Sequence, residues 1–312
     1  MTFNIELVLF GVAILLFFAI LASKISGKIQ VPALLLFLII GMLAGSDGIG
    51  GIYFDDYKLT EKISIIALIL ILFSGGIESK WSEIKPNLWK GLTLSTAGVF
   101  ISAIVFGIIS AYLLSFSWKE GLLLGSIVAS TDAPTVFAIL RSRKVGLKPE
   151  IQSLVEFESS SNDPMAILLT VICVELIIST KISSLYLAGL FIWQIVWGLL
   201  AGFFLGKGFI WLIKKFHLEY EGLYPIMTIA FAFFVYATVA LTKGSGFLAV
   251  YVAGIIIGNG EFLRKRSITR FHNSLSWLMQ IVLFLTLGLL VFPKQLIPLA
   301  GTGLILSLVL FF

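Results

Sequence analysis

Long apolar runs separated by short polar stretches fill the chain from end to end. Eleven such runs fall at roughly 4–23, 29–45, 60–78, 88–115, 119–140, 151–179, 186–213, 221–242, 245–259, 272–292 and 296–312. Most approach the about 20 apolar residues that a helix needs to cross hydrocarbon. Unbroken runs of this length predict helices and exclude a membrane β-barrel, whose strands alternate apolar and polar positions over about ten residues. Runs one to three and seven to ten are almost free of charge in their middles and read as scaffold. Runs five and six differ. Ala129-Ser130-Thr131-Asp132-Ala133-Pro134 interrupts the fifth, and Phe157-Glu158-Ser159-Ser160-Ser161-Asn162-Asp163-Pro164 places two carboxylates and an amide inside the sixth. Ionisable groups at such depth are costly and mark function.

Composition supports the same reading. Apolar residues make up 59% of the chain and charged residues 12%, against roughly 45–50% and 25% in soluble domains. The chain is an all-α integral membrane protein embedded in lipid. No Lys or Arg precedes Lys24, so the first run lacks the basic leader of a secretory signal and reads as a true span. The net charge of +5 would fit nucleic acid, but its placement argues otherwise. The basic residues flank alternate connections, from Lys24 and Lys28 through Arg141, Arg143 and Lys144 to Lys265 and Arg270; the opposite connections carry only Lys58, Lys62, Lys119, Lys181, Lys243 and Lys294. By the positive-inside rule the N-terminus faces outward and Phe312 reaches the cytoplasmic side. No nucleic-acid partner is expected.

Few other residues carry chemistry. Cys173 stands alone in an apolar run and reads as a packed small hydrophobe. His217 and His272 fall at predicted helix ends and receive no role, nor do Glu78, Glu156 and Glu175. Gly198, Gly202 and Gly206 repeat every four residues, a stripe that lets another helix approach closely. Gly48, Gly50 and Gly51 lack the strand and the Gly-Lys-Ser/Thr context of a phosphate loop. Without a nucleotide motif a primary pump is disfavoured, and neither an enzyme nor a resident cofactor is expected.

What remains is an ion site. Pro134 cannot donate a backbone hydrogen bond, so a break in the fifth helix is expected near Thr131. Irregular backbone at membrane depth survives only against protein or a water-filled cavity, the way many transporters build binding sites. Ser159, Asn162 and Asp163 are spaced i, i+3, i+4 and share a helical face, with Glu158 one turn before Asn162. Together with carbonyls near Thr131 they offer hard oxygen ligands, suited to an alkali cation or a proton and not to a soft metal. Partial desolvation favours the protonated carboxyl, so proton and cation would compete for Asp163. One carboxylate carrying one positive charge in each direction moves no net charge. Asp132 is expected to neutralise converging helix N-termini, and Glu158 to sit in a structural ion pair.

The stretches 130–134 and 158–164 resemble the monovalent cation/proton antiporter-1 family, in particular its NhaP-type potassium/proton branch, as do Ile40–Gly51 and Gly244–Tyr251. The resemblance covers essentially the whole chain. It implies a fold of roughly thirteen helices in two inverted repeats, with cation or proton bound by Asp163, support from Asn162 and Ser159, contacts at Thr131 and a helix-compensating Asp132. It also implies electroneutral exchange for the Asn162–Asp163 pair, a homodimer and a bacterial inner membrane location. Ser74 stands before Gly75 and Gly76 where many relatives carry an acidic residue. Eleven runs against thirteen helices imply that the chain stops within the second repeat, before the broken helix whose Arg would pair with Glu158.

The expected organisation is a scaffold and dimerisation part at 1–85, an ion-binding core at 86–180, further scaffold at 181–294, and the start of a second core repeat at 295–312. The expected activity is exchange of potassium or sodium for protons by alternating access. A cation channel and a transport-incompetent truncated partner remain the rival readings.

Overall fold

A computed structural model describes residues 5–29, 31–131, 136, 140, 146–178, 184–216, 218–262 and 264–310. Asp132, Pro134, Arg141, Arg143, Lys144, Lys181 and His217 lie outside these. The described chain is helical almost throughout: α1 Ile5–Ile29, α2 Ala33–Ala44, α3 Tyr57–Glu78, α4 Trp81–Leu114, α5 Trp118–Val128, α6 Pro149–Ile178, α7 Ser184–Lys215, α8 Leu223–Leu241, α9 Gly246–Asn259, α10 Lys265–Leu290 and α11 Ala300–Val309. Seven of these are long and apolar enough to cross a membrane, and α2 and α9 are shorter apolar helices. The protein is a multi-pass helical membrane protein.

Helix ends follow local chemistry. Ser117 caps α5 through a capping box: its hydroxyl accepts from the Glu120 amide at 3.4 Å, and the Glu120 carboxylate accepts from the Ser117 amide at 2.8 Å. Ser245 caps α9, its hydroxyl accepting from the Leu248 amide at 3.3 Å. Two helices begin earlier than hydropathy indicates. α4 starts at Trp81 and passes through a 3-10 turn at Lys85–Asn87 and a π turn at Leu94–Gly98. α10 starts at Lys265 because its charged first turns still bury one side, with Ile268 at 1% exposure. His272 therefore lies inside α10 and not at its end. It is fully buried, with Nε2 2.7 Å from the Thr228 hydroxyl and its ring edge-on to Phe73.

The chain divides into two compact units. The first comprises residues 1–68, 134–146 and 275–301. Its core joins α1, α2 and the second half of α10 through Ala19, Ala22, Phe37, Ile281 and Leu285. A Cβ at Gly41 would come within 2.8 Å of the Gly288 Cα, so the two backbones touch. Asp47 pairs with Lys294 at 3.2 Å.

The second unit comprises residues 69–133, 147–274 and 302–312 and holds the polar runs of the sequence. Small residues set its helix contacts. Gly107 faces Gly121 between α4 and α5, and Gly125 packs against the Ala103 carbonyl. The stripe Gly198, Gly202 and Gly206 lies against Ser245, Ala249 and Ala253 of α9, as its spacing predicts. Val99, Ala103, Met165, Ala166 and Leu169 form the core that seats α6 against α4. Cys173 is buried with its sulfur 3.4 Å from the Ser126 hydroxyl, tying α6 to α5 by packing.

Candidate functional site

α5 ends at Val128, and the chain leaves helical geometry over Ser130 and Thr131. The departure from helix falls where the sequence analysis expects a break. Residues there would lose their intrahelical partners at membrane depth, and side chains of α6 supply replacements. The Ser159 hydroxyl donates to the Thr131 carbonyl at 2.8 Å. The Asn162 amide donates to the Thr131 hydroxyl at 2.5 Å and to Glu158 Oε1 at 3.0 Å. The Thr131 hydroxyl donates to Glu158 Oε2 at 3.2 Å. Thr131 is thus joined to all three of these α6 residues.

Ser130 makes the remaining connection. Its hydroxyl donates to Asp163 Oδ1 at 2.5 Å and stands 3.4 Å from Asn162 Oδ1. Because the Asn162 amide nitrogen is engaged by Thr131 and Glu158, its carbonyl oxygen is left facing Ser130. Three oxygens therefore converge, one each from Ser130, Asn162 and Asp163. Asn162 is fully buried and Ser159 nearly so, while Asp163 and Glu158 are half-buried and Thr131 is exposed at the edge of the cluster.

α6 runs through this site as one helix of 30 residues with Pro164 inside it. Proline has no amide hydrogen, so residue 164 cannot close the helical bond onto the Ser160 carbonyl. The polar run in the sixth segment is an interruption of chemistry and not of backbone. On the neighbouring face, the Ser161 hydroxyl lies 3.5 Å from the Tyr251 hydroxyl of α9.

Thr131, Glu158, Ser159, Asn162 and Asp163, separated by up to 32 positions in sequence, are thereby brought together. Asp132 lies outside the described residues. Among the described residues Glu158 receives hydrogen bonds from neutral donors, and none of the ion pairs involves it. Ser130 is the member that sequence reasoning does not single out. Its signal is only its place in the hydroxyl run beside Thr131. The Ser74 hydroxyl donates to Asn273 Oδ1 at 3.5 Å.

Such a cluster offers the Asp163 carboxylate beside the neutral oxygens of Ser130 and Asn162, with a second carboxylate, Glu158, held by Thr131 and Asn162. It can hold a proton on Asp163 or a small hard cation among the converging oxygens, and charge economy disfavours both at once.

Comparison with known proteins is consistent with this chemistry. The family described as sodium/hydrogen exchanger, transmembrane, matches residues 12–312. The K(+)/H(+) antiporter NhaP of Alkalimonas amylolytica is 40% identical over 293 residues, covering 94% of this chain and 51% of the relative. The K(+)/H(+) antiporter NhaP2 of Shewanella sp. (strain MR-4) is 38% identical over 306 residues, covering 96% of this chain and 52% of that protein. The chain thus spans about half the length of these curated relatives. Among solved structures, the sodium proton antiporter MjNhaP1 from Methanocaldococcus jannaschii at pH 8 aligns with a TM-score of 0.83 at 24% identity, covering 96% of this chain and 75% of that one. This last likeness supports the fold.

Proposed function

The chain belongs to the sodium/hydrogen exchanger family, and from that premise we propose that the cluster around Asp163 is the shared site of an alkali cation and a proton in an electroneutral antiporter. The carrying observation is the short contact of Ser130 with Asp163, beside the Asn162 oxygen. When Asp163 takes a proton, the cation loses its counter-charge and leaves. When a cation enters, it takes the place of the positive charge and the proton departs. Ser130, Asn162 and Ser159 supply neutral oxygens, Thr131 fixes the orientation of Asn162, Glu158 accepts from Thr131 and Asn162, and Asp132 offsets the charge of helix N-termini.

The transported cation is potassium, with sodium the second candidate, in keeping with the potassium/proton exchange named for the relatives from Alkalimonas and Shewanella. Residues 86–180 act as the ion-binding core, and 1–85 with 181–294 as the scaffold of a homodimer in a bacterial inner membrane, N-terminus outward. Moving an uncompensated charge through 100 mV is worth about 2.3 kcal/mol, so a one-for-one exchanger is recognised by indifference to potential.

The test is the full chain in liposomes containing a pH dye. Potassium added outside should alkalinise the interior in a saturable way, at a rate unchanged by an imposed potential. Flux that follows potential and does not saturate would identify a channel and reject the proposal. Thr131→Val removes two hydrogen bonds that orient the cluster, each worth about 1 kcal/mol. The potassium concentration for half-maximal flux should then rise by up to about thirtyfold, read in the same assay, with maximal flux affected less.

A further inference from the structure

A cavity of about 740 Å³ opens between α4, α6, α7 and α9, all within the second unit. This lies within the roughly 300–1,000 Å³ range of ligand-binding cavities. Its walls are nearly all apolar, with Phe157, Met165, Ile195, Leu199, Leu248 and Ile256 among them. Polar groups are few along these walls, so the space suits an apolar occupant better than a hydrated ion. Ser161 and Tyr251 bound it deep in the bilayer, and Trp81 and Asn259 bound it near the helix ends. Along α7 it extends from Ile195 to Ile210, about 22 Å at helical rise. One leaflet of hydrocarbon is roughly 15 Å deep, so the cavity has the length of a single acyl chain.

The charge lies where a lipid headgroup would meet it. α7 has 32 residues, about 48 Å of helix against about 30 Å of hydrocarbon. If the hydrocarbon begins at Ser184, about 20 residues of helix cross it and it ends near Phe204, one turn before Lys207. Lys207 lines the cavity, and its ammonium sits 4.2 Å from the Phe203 ring centroid. Among the described residues no carboxylate pairs with it. Lys214 and Lys215 follow at the same end of α7, and the nearby Lys80 is already paired with Glu83. An anionic phosphate fits this position, and a neutral headgroup gains less from it.

We infer that the cavity holds one acyl chain of an anionic phospholipid from the lysine-rich leaflet, with its phosphate at Lys207. The lipid would lie against the face of α6 that carries Phe157, Ser161 and Met165, which at about 100° per residue is roughly opposite the face that carries Asp163. Occupancy therefore bears on the seating of α6 between α4 and α9.

The test is native mass spectrometry of the full chain in detergent, titrated with phosphatidylglycerol or with phosphatidylcholine of the same acyl chains. Phosphatidylglycerol should saturate at one tight adduct per chain, with an affinity about fivefold above that of phosphatidylcholine, the worth of one lysine at an anionic surface. Lys207→Gln should erase the preference and Lys207→Arg should keep it. Leu199→Trp, at a half-exposed position on the cavity wall, should lower the first adduct for both lipids while leaving the melting temperature unchanged. Equal binding of the two lipids by the native chain, a preference that survives Lys207→Gln, or the absence of any tight adduct because protein fills the space would each overturn the inference. The readout is lipid retention, so it stands apart from the transport assay.

Discussion

Asp163→Asn is expected to abolish the proposed coupled exchange while leaving the protein folded. The amide keeps the shape of the carboxyl and an oxygen for the Ser130 hydroxyl, so the contact that joins residue 130 to α6 survives. What disappears is the negative charge. Leaving a buried charge without its counter-charge costs about 3–5 kcal/mol, an upper bound for a cation entering the half-buried cluster without the Asp163 charge. Flux should fall at least about a hundredfold. The amide also takes up no proton, so the reverse half of the cycle stops as well. In the native chain the proposed competition at Asp163 sets the sign of the pH effect, a lower pH favouring the proton over the cation. The potassium concentration for half-maximal flux rises, up to about tenfold per pH unit. Dye-loaded liposomes measure both. Full exchange by a well-folded Asp163→Asn protein would remove Asp163 from the site.

The second large effect is on folding. Gly125→Ala adds one methyl group to α5, yet its Cβ would collide with the Ala103 carbonyl oxygen and lie within 3.0 Å of the Gly107 amide nitrogen. Backbone atoms cannot rotate away as side chains do, so the helices must separate. Overpacking of this kind costs about 1–3 kcal/mol, and in chains of this general size about 2–4 °C of melting temperature accompanies each kcal/mol. A loss of about 5–10 °C is expected. Gly208→Ala makes the matched control. It adds the same group to α7 where no atom outside the local helix lies within 4 Å, and alanine is the better helix former, so its melting temperature should hold or rise. Exchange should fall with Gly125→Ala too, because α5 leads directly into Ser130 and Thr131. Equal melting temperatures for the two variants would refute the close packing of α4 on α5.

Hydropathy locates the helices well because hydrocarbon demands long apolar runs, and that demand is written residue by residue. It fails at the first turns of α4 and α10, where charged residues face outward while residues such as Ile268 remain buried. His272 is misplaced for the same reason. Within α6, the grouping of Glu158, Asn162 and Asp163 follows from helical periodicity alone. Ser130 does not, because its partner stands 33 positions away, and no local spacing encodes a contact between separate helices. Thr131 is anticipated through the expected break of the helix beside it and through the family resemblance. The apolar cavity at Lys207 is likewise invisible in sequence, since its lining residues look like any others facing lipid.

Pro164 carries a mechanical implication. A helix missing one rung is more easily bent at that rung than elsewhere, and here the missing rung spans Ser160 to Pro164, the turn that carries Asn162 and Asp163. The segment from Met165 to Ile178 can then flex about this joint without dragging Glu158 and Ser159 from Thr131. Compliance and the proposed ligand chemistry occupy the same turn, so a change of charge on Asp163 would act where α6 is softest.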